Sequence, residues 1–265
     1  MTITYLGIFT STGKPHFTYA ALDDDRRVLA LGQGGLADVL AYAAGLAEAR
    51  IGISAPTHLS DGRMAQPDVR SRFHPKPPGR LFRLRVADYE LVCRGVNTPA
   101  VPAARGDCSR WLLNGLELVE QLAGMGYEPH PGEDSARQWL ETPAEGVFAA
   151  LLGLPSFAGG TLESRLQRQL CLRRGGVVLP DPMDFFEEVS AHRLLNGILP
   201  MEKIHSAAEL DALAAAFTAW LSVHNPSGLM TLGDEDEALI WLPKSEFFQN
   251  PPKAPDRQLH LFGEK

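Results

Sequence analysis

Residues 2–56 read TITYLGIFTSTGKPHFTYAALDDDRRVLALGQGGLADVLAYAAGLAEARIGISAP, and the pattern of this stretch predicts the architecture of the chain. Segments rich in β-branched and aromatic residues at 2–9, 16–23 and 27–33 are typical of strands, and the tight turn before the third indicates an antiparallel meander. Residues 34–49 carry apolar side chains at helical spacing, and a short apolar segment follows them. This connection is long enough for a right-handed crossover, so we expect a fourth strand parallel to the first.

The remaining chain adds helices and three more strands around a long polar segment. Residues 60–85 have no regular period, which predicts a loop. Ser206 and Glu209 form the S-x-x-E pattern of a capping box, which indicates the start of a helix. Strands are predicted at 137–143, 228–233 and 237–243, and helices at 108–127, 144–153, 161–174, 181–197 and 206–224.

Composition and length indicate one large domain with a tail. The chain has 265 residues, of which 45% are hydrophobic, so it can bury a sizeable core. We expect a domain over 1–248 with a helical insertion around 144–200, followed by a flexible proline-rich tail over 249–265. The three cysteines have no CxxC spacing, and the sequence shows neither the pattern of a signal peptide nor an apolar run that spans a bilayer. These features favour a cytoplasmic protein and argue against a membrane partner.

Six short segments carry a family resemblance, and their order along the chain matters more than any one of them. They are LGIFTSTGKP (6–15), RIGISAPTHLSDG (50–62), YELVCRGVNTPAVP (89–102), WLETPAEGVFAALLG (139–153), ELDALAAAFTAWL (209–221) and MTLGDEDEALIWLP (230–243). In this order they resemble a bacterial family of predicted ribonuclease H-fold proteins, catalogued as domain of unknown function 429. The resemblance implies an α/β, ribonuclease H-like fold, in which three antiparallel strands plus parallel strands form a mixed sheet flanked by helices.

The resemblance also implies a set of acidic side chains that carry metal-dependent phosphodiester hydrolysis. Two Mg²⁺ or Mn²⁺ ions held by Asp and Glu oxygens would clamp the attacking water and the leaving oxygen. Glu141 and Asp211 match the acids of the fifth strand and the last helix, which makes both of them candidate metal ligands. Phe9 and Ser54 stand where the family has Asp, so the acidic site is degenerate. The candidate catalytic residues are Asp211, Glu141 and Asp61, the last as a substitute ligand in a loop.

Each of these acids also has a purely structural explanation. Asp211 borders the apolar stripe of its helix and so faces the body of the protein, where a carboxylate needs a partner or a metal. An Asp in a first turn is also favoured by the helix dipole alone. Glu141 is explained equally well as a structural residue of the fold with no catalytic role. Asp61 precedes a glycine, as turn-forming Asp residues do. His130, Glu133 and Asp134 could supply a separate oxygen and nitrogen site, although their spacing is more typical of a solvated loop.

The loop over 63–85 is strongly basic and is the candidate nucleic-acid interface. It holds seven Arg and Lys residues against one acid, Asp68, and Phe73 and Phe82 lie between the charges. Cations neutralise phosphates and aromatic rings stack on unpaired bases, but the same pattern fits a solvated loop anchored by its phenylalanines. A second arginine group, on the helix predicted at 161–174, is typical of an exposed face. The residues predicted to bind nucleic acid are Arg70, Arg72, Lys76 and Arg80.

The proline-rich tail ends in a short peptide with three large apolar side chains, QLHLF at 258–262. This peptide resembles the motif by which bacterial replication and repair proteins bind the sliding clamp, which has Gln, Leu, a variable residue, Leu and Phe in succession. The resemblance implies that two apolar side chains enter a pocket on the clamp while the glutamine fixes the orientation. The alternative is a tail that packs on its own domain. The predicted clamp-binding residues are Gln258, Leu259, Leu261 and Phe262.

Three functions remain open at this point. The first is a metal-dependent nuclease of bacterial DNA processing or repair, tethered to the sliding clamp, with Mg²⁺ or Mn²⁺ as its cofactor. The second is a non-catalytic adaptor that binds the clamp or nucleic acid and has a nuclease fold without nuclease activity. The third is an actin-like small-molecule phosphotransferase, in which the STGK hairpin at 11–14 would contact phosphate.

Overall fold

A computed structural model describes residues 3–74, 76–132 and 135–249 of the chain. The candidate pair Glu133 and Asp134 and the clamp-binding peptide lie outside these ranges. The described strands are β1 (Thr4–Thr10), β2 (Phe17–Leu22), β3 (Val28–Gly34), β4 (Ala49–Ser54), β5 (Glu128–Pro129), β6 (Arg137–Glu141), β7 (Leu229–Asp234) and β8 (Ala238–Pro243). The described helices are α1 (Leu36–Ala44), α2 (Pro67–Ser71), α3 (Val86–Val92), α4 (Arg110–Gly124), α5 (Ala144–Leu152), α6 (Leu162–Arg174), α7 (Asp184–Glu188), α8 (Ala191–Leu195), α9 (Ala207–His224) and α10 (Glu246–Gln249).

The strands form one mixed sheet with the order β3-β2-β1-β4-β6-β8-β7, and the short strand β5 pairs beside β6. The first three strands are antiparallel neighbours, whereas β4 runs parallel to β1 and β6 runs parallel to β4. β8 continues the parallel set beside β6, and β7 returns antiparallel to it. The structure therefore confirms the antiparallel meander, the parallel fourth strand, the strand predicted at 137–143 and the closing pair of strands.

Five of the predicted helices are confirmed, and one predicted helix is divided. α4, α5, α6 and α9 occupy the segments predicted for them, and α1 is the crossover helix between β3 and β4. The segment 181–197 forms α7 and α8, because Val189 and Ser190 are extended between them and the Arg193 backbone N–H donates to the Ser190 hydroxyl as a new N-cap. Residues 60–85, predicted as a loop, hold α2 and two 3₁₀ turns, which share a small apolar core with α3. No helix in the described part of the chain has the length and apolar character that crossing a bilayer requires.

Helices cover both faces of the sheet, and the side chains of β1 alternate between the two layers. Leu6 and Ile8 lie in the core that contains residues of α1 and α4, together with Ile51 and Ile53 of β4. Tyr5 lies in the opposite core, with residues of α5, α6 and α9. Successive side chains of a strand point to opposite faces, so a central strand between two helical layers needs apolar residues on both.

α9 lies very close to the sheet because β1 and β4 place two glycines side by side beneath it. Gly7 of β1 is the register partner of Gly52 of β4. A Cβ atom on Gly7 would lie 1.9 Å from the Ala212 carbonyl oxygen, and one on Gly52 would lie 2.2 Å from the Ala215 carbonyl oxygen. The two glycines and the alanines of α9 therefore allow the helix backbone to rest directly on the strand backbones.

We expect Gly7→Ala to lower the free energy of unfolding by about 3 kcal/mol or more, because the added methyl group must displace the backbone of α9. Urea denaturation followed by circular dichroism measures this change. Gly124→Ala in α4 is the matched control, since a Cβ atom there meets nothing within 4 Å and alanine is the better helix former. The control should be neutral or stabilising, and equal losses from the two substitutions would contradict the close approach of α9.

Candidate functional site

A cavity of about 270 Å³ lies at the carboxyl ends of β1, β4 and β6. The ends of these strands contribute Phe9, Ser54 and Glu141 to its lining, and the beginning of α9 contributes Asp211. The carboxyl ends of parallel strands are where α/β sheets commonly bind ligands. The cavity is therefore the candidate site, and it brings together the two acids that the sequence predicts to share one.

The first of two charged clusters at the cavity is centred on Arg85, whose side chain is 1% exposed. Its Nε and Nη2 atoms donate to the two carboxylate oxygens of Asp88 at 2.9 and 3.0 Å. Its Nη2 and Nη1 atoms also donate to the two carboxylate oxygens of Glu141 at 2.6 and 3.2 Å. A single buried guanidinium therefore bridges the carboxylates of α3 and β6 through charge-assisted hydrogen bonds.

Glu141 is held on its other side by Thr57, in the loop after β4. The backbone N–H and the hydroxyl of Thr57 donate to Glu141 Oε2 at 2.8 and 2.7 Å. Burial opposes the charge of Arg85, but the carboxylates of Glu141 and Asp88 outweigh this effect and raise the pKa of the guanidinium. Burial also raises the pKa of Asp88, and the contact with Arg85 offsets only part of that rise. The centre of this cluster is thus a permanently charged arginine.

The second cluster is centred on Arg168 of α6, whose side chain is also 1% exposed. Its Nη1 atom donates to Asp211 Oδ1 at 2.7 Å. Its Nη2 atom donates to Glu145 Oε1 at 2.5 Å and to the Ser156 hydroxyl at 3.1 Å. The guanidinium carbon lies 4.8 Å from the centre of the Phe148 ring, which is a cation–π distance. Arg168 therefore joins α5, α6 and α9 beside the cavity.

Asp211 is the acid of this cluster with spare bonding capacity. It is 9% exposed, and burial raises the pKa of its carboxyl to about 7 against the lowering effect of Arg168. Its Oδ1 atom bonds Arg168, but no hydrogen bond from the described residues reaches its Oδ2 atom. When the carboxyl group is ionised, this second oxygen is available to accept a hydrogen bond from a molecule in the cavity.

These contacts do not fit the metal site that the family resemblance implies. Glu141 and Asp211 line one cavity, but each is bonded to a different guanidinium. Within the described ranges, no three Asp, Glu, His or Cys side chains form a group able to hold a metal ion. A divalent cation would have to compete with two buried arginines for the same carboxylate oxygens. In the folded protein, Arg85 and Arg168 supply the positive charge that metal ions would supply in such a site.

Asp61, the third candidate catalytic residue, is exposed and does not line the cavity. Its backbone N–H donates to Glu237 Oε1 at 3.0 Å, a contact that suits a loop residue. Phe9 and Ser54 do line the cavity, so both positions at which the motifs differ from those of the family they resemble lie at this site. The Ala144 backbone N–H donates to the Ser54 hydroxyl at 3.0 Å, which satisfies the first N–H group of α5.

His130 is the described member of the other cluster considered from the sequence. Its Nδ1 atom lies 2.8 Å from Gln138 Oε1, and its ring packs edge-on against Trp241 with 4.6 Å between the ring centres. Burial lowers the pKa of the imidazole. These are the contacts of a side chain packed between neighbouring strands.

Two of the four residues that the sequence predicts to bind nucleic acid, Arg70 and Arg72, make contacts within the protein. Arg72 donates to Asp234 Oδ2 at 2.9 Å, and the Arg70 guanidinium lies 4.3 Å from the centre of the Phe82 ring. Phe73 packs against the small apolar core beneath the loop. Phe73 therefore anchors the loop to its core, whereas Phe82 contacts Arg70 of the same loop.

The other two predicted residues, Lys76 and Arg80, are exposed, and so is Arg83. The ion pairs of this loop that the structure describes involve Arg63, Arg72 and Arg85 and none of these three cations. The loop leads directly into Arg85, which lines the cavity. A short basic surface thus remains available to an anionic partner.

Arg85 and Arg168, which organise the site, are not predicted from the sequence. The expectation that the arginines of 161–174 form an exposed face is wrong for Arg168, which is buried. A signal for its burial does exist, because Arg168 lies three residues before Cys171 and four before Leu172, and both of these are buried. Residues at these spacings share one face of a helix.

Comparisons of the chain with protein-family models, with curated proteins and with solved structures find no match. The resemblance to the bacterial family therefore stays a prediction from the order of its motifs. The geometry of the cavity is the basis for assigning a function.

We expect Arg85→Met to lower the free energy of unfolding by about 3–5 kcal/mol, because it leaves two buried carboxylates without their cation. Thermal and urea denaturation measure the loss. Arg105→Met is the matched control, since Arg105 pairs with Glu120 at the surface, where both side chains are about half exposed, and its effect should be much smaller. Adding Glu141→Gln to Arg85→Met should recover part of the loss. Equal effects of Arg85→Met and Arg105→Met would contradict the role of the buried cluster.

Proposed function

We propose that the protein is a non-catalytic adaptor of bacterial DNA processing or repair, built on a ribonuclease H-like scaffold. The strand order β3-β2-β1-β4-β6, with helices on both faces of the sheet, is the arrangement expected of that fold and supports this part of the proposal. Since a fold alone assigns no activity, the functional argument depends on the site.

The observation that carries the proposal is the pair of buried guanidiniums at the carboxyl ends of the parallel strands. Arg85 and Arg168 bond the carboxylates that metal-dependent phosphodiester hydrolysis would require. A guanidinium neutralises a carboxylate and fixes its orientation, but it offers no open coordination position for a water molecule or a phosphate oxygen. This arrangement favours a scaffold role over hydrolysis.

The exposed basic surface supports nucleic acid as one partner. Lys76, Arg80 and Arg83 lie on the loop that leads into the cavity lining. Such cations bind phosphates by releasing counterions, which gives a contact that is independent of sequence and weakens with salt. The surface is small, so the contact would be modest.

The peptide at 258–262 supports the sliding clamp as the second partner. It has all four defined residues of the clamp-binding motif, and a proline-rich segment separates it from α10. Burial of Leu261 and Phe262 in a pocket of the partner would contribute roughly 1.5–3 kcal/mol each, before the cost of ordering the peptide. A weak and reversible tether of this kind suits an adaptor that delivers nucleic acid to the clamp.

We expect the intact protein to bind the sliding clamp of its source bacterium in surface plasmon resonance, and Leu261→Ala/Phe262→Ala to abolish this binding through the loss of both apolar anchors. His260→Ala is the matched control, because His260 occupies the variable position of the motif and should be dispensable. Absence of binding by the intact protein, or equal binding by all three proteins, would contradict the adaptor proposal.

The same preparations should not cleave single- or double-stranded DNA in the presence of Mg²⁺ or Mn²⁺. Cleavage that disappears in Glu141→Gln would overturn the non-catalytic part of the proposal in favour of the nuclease. Cleavage that persists unchanged in that variant would indicate a contaminating enzyme.

A further inference from the structure

The cavity beside the two arginine clusters also has flat apolar walls. Phe9 near the end of β1 and Trp111 in the first turn of α4 both line it, as do Pro56, Pro99 and Pro143. Flat aromatic and proline side chains are suited to cover the faces of a planar ring. The shape and chemistry of these walls therefore favour a planar ligand.

The aromatic wall is preformed, because the first turn of α4 is fixed to the end of β1. The Thr10 hydroxyl donates to the Trp111 carbonyl oxygen at 3.2 Å. Asn114 Nδ2 donates to the Ser11 carbonyl oxygen at 3.1 Å. A ligand that packs against Trp111 would not have to order this wall on binding, which favours affinity.

The polar part of the lining favours hydrogen-bond donors over anions. The two clusters contain four carboxylates and only two guanidiniums, so the lining carries a net negative charge once Asp211 is ionised, above its pKa of about 7. Asp211 Oδ2 is an acceptor that no described group uses, on a residue that is only 9% exposed. Such a lining attracts donor groups and repels phosphates and carboxylates.

The size of the cavity limits the ligand to about one ring system. Its volume of about 270 Å³ lies below the roughly 300–1,000 Å³ of pockets that bury drug-sized molecules. We propose that the cavity binds one nucleobase with an exocyclic amino group, the ring lying against the Phe9 and Trp111 walls and the amino group donating to Asp211 Oδ2. Cytosine, adenine and guanine carry such a group, whereas uracil and thymine have a carbonyl oxygen in place of the cytosine amino group and donate on that edge only from the ring N3–H.

The base comes either from a free nucleoside or from an unpaired position of a strand. This inference deepens the nucleic-acid contact of the proposed function and rests on that function only if the source is a strand. Lys76 and Arg80 would then contact phosphates next to the bound base, which gives a strand affinity that a nucleoside lacks. Nucleoside and oligonucleotide probes therefore distinguish the two sources.

The experiment compares cytidine with uridine, which differ in the group at C4, an amino group or a carbonyl oxygen, and in whether N3 carries a hydrogen. Isothermal titration calorimetry on the full chain, at a pH above the Asp211 pKa of about 7, should give about tenfold tighter binding of cytidine, as expected for one hydrogen bond to a charged acceptor. Short oligo-dC and oligo-dU extend the comparison to strands. Oligo-dC that binds tighter than cytidine, with the gain lost at high salt, identifies a strand as the source; equal affinity identifies the free nucleoside.

Asp211→Asn gives the sharpest test of the contact. The asparagine oxygen can keep the hydrogen bond from Arg168, and the amide nitrogen then replaces Oδ2 with a donor. This variant should reverse the preference from cytidine to uridine, which a merely structural role of Asp211 would not do. Trp111→Ala should weaken both nucleosides about tenfold through lost stacking. Asp61→Asn is the matched control outside the cavity and should change neither affinity.

Equal affinity for cytidine and uridine, or no binding of nucleosides and oligonucleotides alike, would overturn the inference. An unchanged preference in a folded Asp211→Asn variant would also overturn it. If circular dichroism shows that this variant does not fold, the affinity of Trp111→Ala for the nucleosides is the deciding measurement. An affinity equal to that of the intact protein would show that the bases bind elsewhere and would overturn the inference. Clamp binding of the cavity variants should equal that of the intact protein, so failure of the clamp contact and failure of the base pocket are observed separately.

Discussion

The contact between α9 and the sheet is the constraint on which the rest of the structure depends. Gly7 and Gly52 are register partners in β1 and β4, and neither position has room for a methyl group beneath the helix. The Ala212 carbonyl oxygen lies over Gly7, and Asp211 immediately precedes this alanine and lines the cavity. One short segment of α9 thus determines both how the helix packs and where its carboxylate stands.

The two buried arginines link the stability of this arrangement to the chemistry of the cavity. Arg85 connects α3 to β6, and Arg168 connects α6 to α5 and α9. A buried ion pair contributes little net stability compared with well-packed apolar residues, but the loss of one partner is strongly destabilising. The arginines therefore constrain which conformations of these elements are allowed. The same contacts use carboxylate oxygens that a metal ion would need, and they leave Asp211 Oδ2 open to the cavity.

Local patterns predict the sheet and the long helices, because two-residue and 3.6-residue periods depend only on neighbouring residues. The motif order also predicts that Glu141 and Asp211 share a site, and both line one cavity. The arginine partners are not predictable in this way. Arg85 is 56 residues from Glu141 and Arg168 is 43 residues from Asp211, so no local pattern identifies either ion pair. Whether a basic residue near a predicted site faces solvent or a buried carboxylate is decided by tertiary packing.

The central claim is that two guanidiniums, and not metal ions, bind the acidic side chains of the cavity. Anomalous diffraction from crystals of the full chain soaked in Mn²⁺ tests this claim most directly. The account predicts that Arg85 and Arg168 remain bonded to their carboxylates and that no manganese peak lies beside Glu141 or Asp211. A manganese ion bonded to either carboxylate, with its arginine displaced, would contradict the account and support a metal-dependent nuclease.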